Sequence, residues 1–164
     1  MSIIRYFPLL SHWLARRDFP APVLDAIQKA IAAGEQHHQG QVCFAIEGAL
    51  PLRELARGHG ARPRAQEVFA HLRVWDTAHN SGVLIYVLLA ERAIEIVADR
   101  GIAARVPQGE WQTLCERMRD RFASGEYERG ASEGVRAVSG ILAQHFPADG
   151  SGTPNELPDR PVLL

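Results

Sequence analysis

The chain has 164 residues, of which 46% are hydrophobic and 23% charged, with a formal net charge of −1. This length and composition predict one globular domain with a substantial core. The near-neutral charge and the lack of a nucleic-acid-binding motif argue against a nucleic-acid partner. The longest apolar run, Gly82–Ala90, is far too short to cross a bilayer, so we expect a soluble, cytoplasmic protein.

The first 19 residues combine apolar and basic side chains, with no acid before Asp18. Such a segment is typical of a helix lying on a membrane surface, and it also suits a protein partner. The alternative is that it packs on the core of its own domain. It is a poor secretion signal because Pro8 and His12 interrupt its apolar stretch. We therefore treat residues 1–19 as a separate segment and keep a membrane-peripheral location open.

Helical periodicity follows from residue 22 to residue 38, and Gly40 ends the pattern. Gln41–Glu47 is typical of a strand that is covered on both faces, because apolar residues occupy both alternating sets. The elements expected after it are, in chain order, a helix after Pro63, a strand at Gly82–Ala90, a tight turn at Glu91–Arg92, a strand at Ala93–Ala98, and helices near 111–122 and 131–145.

The first two strands are joined by a helix and should be parallel, whereas the third strand returns in a hairpin and should be antiparallel. This order predicts the α/β class, as a three-layer α/β/α sandwich with a small mixed sheet, over residues 20–147. Residues 148–164 form a proline-rich tail that we expect to be irregular, although Val162–Leu164 are apolar enough to dock. Cys43 and Cys115 fall on apolar faces, which favours two buried thiols over a disulfide.

The hairpin brings polar residues from two parts of the chain together. The start of its first strand lies beside the end of its second, so Asn80 should be close to Asp99 and Arg100. The start of the Gln41 strand faces the same edge. The residues expected at this edge are Asp76, Asn80 and Asp99, with Glu35, His38 and His79 as weaker candidates.

Carboxylate and amide oxygens are the ligands that Ca²⁺ and Mg²⁺ prefer, which makes this edge a candidate metal site. Added histidines would shift the preference toward Zn²⁺. Glu35 and His38 have the spacing that places two side chains on one helix face, as in carboxylate-bridged metal sites. Three other readings stay open: these residues are ordinary turn and cap chemistry, the protein is a scaffold without a site, or the edge hydrolyses phosphate esters. In the last reading Asp76 or Asp99 would be nucleophile or base, and Arg100 would hold the phosphate.

The stretch NSGVLIYVLLAERAIEIVADRGI, at Asn80–Ile102, resembles the core motif of the TPM domain family. The flanks RAQEVFAHLRVWDT and EWQTLCERMRDRFASGEYERGASEGVRAVSGILAQHFP are similar to its helices. The family includes a thylakoid-lumen protein of photosystem II repair and bacterial proteins that are often membrane-linked. This chain is most similar to a short, soluble bacterial subgroup that ends in a tail like NELPDRPVLL.

The resemblance implies a three-layer α/β/α fold and the binding of divalent cations, with acid phosphatase activity described for a plant relative. Carried over by position, the polar residues that flank the motif are Asp76, Asn80, Asp99 and Arg100. Many members have a signal peptide and a membrane anchor, and this sequence shows neither. The function expected from the sequence is therefore an accessory or interaction module that binds Ca²⁺ or Mg²⁺, with a metal-assisted phosphatase as the alternative.

Overall fold

The computed structural model describes residues 8–152 and 154–164. Over these residues the chain forms seven α-helices and four strands. The helices are α1 (Pro8–Asp18), α2 (Ala21–Glu35), α3 (Leu52–Ala56), α4 (Ala61–His71), α5 (Arg100–Ala103), α6 (Gln108–Ala123) and α7 (Tyr127–His145). The strands are β1 (Gln41–Glu47), β2 (Gly82–Leu88), β3 (Ala93–Ala98) and β4 (Val162–Leu163).

The four strands form one mixed sheet in the order β3-β2-β1-β4. β1 and β2 are parallel, with Gln41 opposite Gly82, and β2 and β3 are antiparallel, with Val83 opposite Ala98. A turn of 3-10 helix at Leu89–Glu91 joins β2 to β3. The predicted parallel pair, the hairpin and the α/β class are confirmed.

Helices cover both faces of the sheet, and β1 and β2 are therefore buried along their whole length. On one face, side chains such as Phe44 and Ile85 pack in the core with α1, α2, α6 and α7. On the other face, Cys43, Leu84 and Tyr86 pack with α4. The continuous apolar sequence of these strands follows from this double burial. Cys43 and Cys115 are both buried free thiols, as expected.

One predicted helix boundary is wrong: α2 ends at Glu35 and does not reach His38. The N–H of His37 turns back to the carbonyl of Gly34, and the N–H of Gln39 donates to the distant Phe146 carbonyl. These bonds replace the helical ladder, so the side chains of Glu35 and His38 no longer follow helical spacing.

Both chain ends contact the domain wherever they are described. In α1, Leu14 and Ala15 are buried, and the Ser11 hydroxyl accepts the N–H of Ala49 at 2.8 Å. β4 pairs with β1, so the end of the tail docks on the sheet. Residues 1–7 of the predicted N-terminal segment lie outside the described residues. No helix within residues 8–152 and 154–164 is long and apolar enough to span a membrane.

Candidate functional site

The two ends of the hairpin meet at the edge predicted from the sequence. The N–H of Gly101 donates to the Asn80 carbonyl at 3.1 Å, and the N–H of Asp99 donates to the Gly82 carbonyl at 2.8 Å. A methyl group on Gly101 would lie 2.6 Å from the Asn80 oxygen and 2.9 Å from the His79 oxygen. Only glycine permits this approach. We call residues 76–81 and 99–101 the loop edge.

Asp99 is the residue of the loop edge with unused binding capacity. Its Oδ1 accepts the N–H of Arg100 at 2.7 Å and so caps the start of α5. Its Oδ2 is buried and has no hydrogen-bond donor within the described part of the chain. A buried carboxylate oxygen without a partner is costly, so this atom needs a donor or a cation.

Asp76, Asn80 and Thr77 each have a role within the turn that they form. Asp76 is exposed and pairs with Arg73 at 2.7 Å, an arrangement of small energetic value at a surface. Asn80 adopts the left-handed conformation with φ of 51°, which asparagine tolerates better than most residues. Thr77 accepts the N–H of Ser81 through its hydroxyl at 2.9 Å. This is the turn chemistry that the sequence left as an alternative.

Glu35 lies near the start of β1 but serves the chain's own backbone. Its Oε1 accepts the N–H of Val42 at 2.9 Å. Burial raises the pKa of Glu35 to about 7, and the nearby Asp159 carboxylate adds to this, although the bond from Val42 works against it. Glu35 is therefore an anchor for the backbone at the start of β1.

His38 is enclosed in the protein and is only 1% exposed. Its Nδ1 accepts the N–H of Gly40 at 3.1 Å, which places the proton of the neutral ring on Nε2. Within the described part of the chain this buried Nε2 has no hydrogen-bond partner. Burial lowers the pKa of His38 to about 4. A methyl group on Gly34 would lie 3.8 Å from Nε2 and 2.1 Å from the Ser139 hydroxyl, so the ring points at the contact between α2 and α7.

The remaining candidates, His79 and Arg100, are exposed at the loop edge. The loop edge thus brings together the backbone segments that carry Asp76, His79, Asn80, Asp99 and Arg100. The side chains of Glu35 and His38 instead accept bonds from the backbone near the start of β1. Within residues 8–152 and 154–164, no group of three or more His, Cys, Asp or Glu side chains is placed to hold a metal ion.

A family model described as the TPM domain matches residues 20–141. This chain belongs to the TPM domain family. The match spans β1, β2 and β3, both segments of the loop edge and most of α7. Comparison with curated proteins gives no match.

Two solved structures resemble this TPM domain. The NMR structure of the BA42 protein from the psychrophilic bacterium Bizionia argentinensis is 26% identical, with a TM-score of 0.77, and the alignment covers 89% of this chain and 95% of that one. The solution structure of the N-terminal domain of a protein from P. gingivalis is 17% identical, with a TM-score of 0.61 and coverage of 89% and 96%. The second likeness supports the fold alone.

Sequence reasoning missed one acid that the tail of this TPM domain brings to the loop edge. Glu156 accepts the N–H of Ala78 at 2.8 Å, and Gln41 holds the tail there by accepting the N–H groups of Glu156 and Leu157. No local pattern could have revealed this contact, because Glu156 lies 78 residues from its partner in the chain.

A second group, at the opposite end of β1 and β2, was also missed. Arg64 donates two bonds of 2.9 Å to Glu47, and the Tyr86 hydroxyl donates to the same carboxylate at 2.5 Å. Burial raises the pKa of Tyr86, and the Glu47 charge adds to the shift. The only sequence signal was a tyrosine and a glutamate within otherwise apolar strands. The group is closed and satisfied, so we interpret it as a structural anchor for α4.

Proposed function

We propose that this TPM domain binds a divalent cation, Ca²⁺ or Mg²⁺, at the loop edge and acts as an accessory module in the cytoplasm. The observation that carries the proposal is the buried Asp99 Oδ2 without a donor among the described residues. A cation bound to that oxygen would remove the cost of leaving it unpaired.

The neighbouring groups support an oxygen site of low protein coordination. Asn80 offers a side-chain amide and Asp76 is held only by an exposed ion pair, whereas Glu156 is engaged by the N–H of Ala78. One or two carboxylates with several retained waters are typical of Mg²⁺, and loop carbonyls extend such a set toward Ca²⁺. Glu35 and His38 are left out of this set because Glu35 accepts a bond from the backbone of β1, and His38 faces the contact between α2 and α7.

The test is an amide chemical-shift titration with Mg²⁺ and Ca²⁺ at fixed ionic strength. We expect saturable shifts at residues 76–82 and 99–103. Asp99→Asn should abolish them, because asparagine keeps the helix cap and removes the charge. Asp120→Asn, an exposed position on α6, is the matched control and should leave them unchanged. Binding that survives Asp99→Asn would disprove the assignment.

Phosphate-ester hydrolysis stays a prediction, and the same variants test it. A hydrolase at this edge would turn over p-nitrophenyl phosphate, and Asp99→Asn would abolish turnover while Asp120→Asn would not. Metal binding without turnover is the result that we expect for an accessory module.

We assign the partner surface of the module to α1. Its exposed face carries Leu9, 88% exposed, and Trp13, 54% exposed, beside Arg16 and beside Arg17, which is paired with Asp18. Apolar and basic side chains together suit an anionic membrane surface. Cosedimentation with phosphatidylglycerol vesicles should fall in Trp13→Ala and persist in Trp75→Ala, which removes another exposed tryptophan. If both variants lose cosedimentation equally, or if the protein does not cosediment with the vesicles, α1 would instead bind a protein partner.

A further inference from the structure

A cavity of about 500 Å³ lies at the end of the sheet opposite the loop edge. It is open to solvent on one side and is lined by α1, the turn between β2 and β3, α6 and the start of α7. Its size is within the range of small-molecule sites. Leu14, Val87 and Phe122 supply apolar walls, and Leu14 and Val87 are buried. We call it the arginine cavity after its three arginines, Arg17, Arg92 and Arg119.

Two of these arginines have no acidic partner among residues 8–152 and 154–164. Arg17 is neutralised by Asp18 through two bonds, of 2.7 Å and 3.1 Å. Within the described part of the chain, neither Arg92 nor Arg119 has a carboxylate oxygen within 4.0 Å. The cavity therefore presents two uncompensated guanidinium groups from two separate elements.

The backbone at Arg92 determines where its side chain lies. Arg92 has a φ of 51°, in the left-handed region where glycine, asparagine and aspartate are favoured. Asn80 occupies the same conformation at the other end of the hairpin and suits it. Arg73 has a similar φ of 56° in an exposed turn, so the conformation does not by itself mark a binding site. At Arg92 the turn places the guanidinium at the cavity.

We propose that the arginine cavity binds an organic anion, with its carboxylate or phosphate head between Arg92 and Arg119 and its apolar body against Leu14 and Phe122. Guanidinium groups match the planar geometry of such oxyanions and form paired hydrogen bonds with them. The apolar walls add burial that an inorganic ion cannot use. The site is independent of the proposed cation site, since the two lie at opposite ends of the β2–β3 hairpin.

The ligand class is tested by an amide chemical-shift titration of the whole chain with four probes at constant ionic strength. Benzoate and phenyl phosphate each carry both an anionic head and an apolar ring. Inorganic phosphate carries only the anionic head, and benzyl alcohol carries only the apolar ring without a charge. We expect saturable shifts from the first two at residues 87–94 and 119–127. Inorganic phosphate should bind at least about tenfold more weakly, and benzyl alcohol should not bind. The stronger of the two organic anions identifies the head group.

Two substitutions test the residues. Arg92→Gly removes the guanidinium while supplying the residue that its backbone favours, so the variant should fold at least as well. Arg119→Gln keeps a good helix former. Each should weaken organic-anion binding about tenfold, the loss of one charge-assisted contact. Arg117→Gln, also exposed on α6, is the control and should bind normally.

Three results would overturn the proposal: no saturable shift with either organic anion, equal affinity for inorganic phosphate, or unchanged affinity in both Arg92→Gly and Arg119→Gln. Arg92→Gly should also keep its response to Mg²⁺ and Ca²⁺. If the loop edge binds no cation, the proposal for the arginine cavity still stands. If the arginine cavity binds no organic anion, the proposal for the cation site still stands.

Discussion

The two ends of the sheet use their charged residues differently. At the loop edge, Asp76 pairs with a surface arginine, and Asp99 caps a helix with one of its oxygens. At the other end, Arg64 is fully used in a buried group, whereas Arg92 and Arg119 have no acidic partner among the described residues. The polar residues of the loop edge, which stand out in the sequence, thus mainly stabilise the fold.

The contrast shows which observation indicates a ligand. Polar residues beside a strand are expected at any turn, because turns and caps need them. A group whose hydrogen bonds or charge stay unmatched after folding is more informative. By that measure Asp99 Oδ2 and the pair of Arg92 and Arg119 point to ligands, while Glu35 and Arg64 point to structure. His38 Nε2 is also unmatched among the described residues, but it faces the contact between α2 and α7.

The largest expected effect comes from the buried anchor. Arg64→Met would leave Glu47, only 3% exposed, without its cation. Breaking a buried pair from one side costs about 3–5 kcal/mol, and urea denaturation measures this loss. Arg92→Gly is the comparison from the same end of the sheet and should show no loss. A cost for Arg64→Met below about 1 kcal/mol would mean that the anchor is not structural.

The next largest expected effect is a loss of folding stability at acidic pH that is caused by His38. Its pKa is about 4 in the fold, against 6.5 for an unperturbed ring. The unfolded chain therefore takes up a proton first, and stability falls as pH drops from 6.5 to 4, by up to about 3 kcal/mol. Urea denaturation at pH 7 and pH 4.5 should show this drop, reduced in His38→Asn and retained in His37→Asn. An equal drop in both variants would contradict it.

Glu35 should act in the opposite direction. Its pKa rises from 4.5 to about 7 on folding, so the folded state holds its proton more tightly than the unfolded chain. Stability should fall as pH rises from 4.5 through 7. Glu35→Gln keeps an acceptor for Val42 and should stabilise the protein at pH 8 by about 1–2 kcal/mol, allowing for partial exposure. The gain should vanish at pH 4. Glu116→Gln, an exposed position, should show no such pH-dependent gain.

Two substitutions at Asp99 distinguish the stability that comes from the helix cap from the effect of the carboxylate charge. Asp99→Ala removes the cap of α5 and should cost about 1 kcal/mol, whereas Asp99→Asn keeps the cap and should cost less. Thermal unfolding without metal measures both variants. If the two lose equal stability, the bond from Arg100 contributes little, and the role of Asp99 at the loop edge rests on its charge alone.

The smallest expected effect is a gain. Arg92→Gly should raise stability by about 1 kcal/mol, since glycine adopts the left-handed conformation without a side-chain clash. Gly58→Ala, at a φ of 71°, is the reverse control and should destabilise. A loss of stability in Arg92→Gly would show that the guanidinium supports the fold, and the inference of a ligand there would weaken.

Much of the architecture was determined by the sequence alone. The apolar runs specified the three main strands, the short connection specified the hairpin, and the intervening helix specified a parallel pair. The same order predicted that Asn80 and Asp99 would be neighbours, and the bond between Gly101 and Asn80 confirms that the two segments meet. These features depend on local periodicity and on connection length, which the sequence carries directly.

The tertiary structure decided how each polar group is used. Glu35 and His38 have helical spacing in the sequence, but α2 ends between them, and each side chain bonds to backbone instead. The bonds of Arg64 to Glu47, the docking of Glu156 and the walls of the arginine cavity all join elements far apart in the chain. Whether a charge is matched depends on which distant segments pack beside it, and no local pattern encodes that packing.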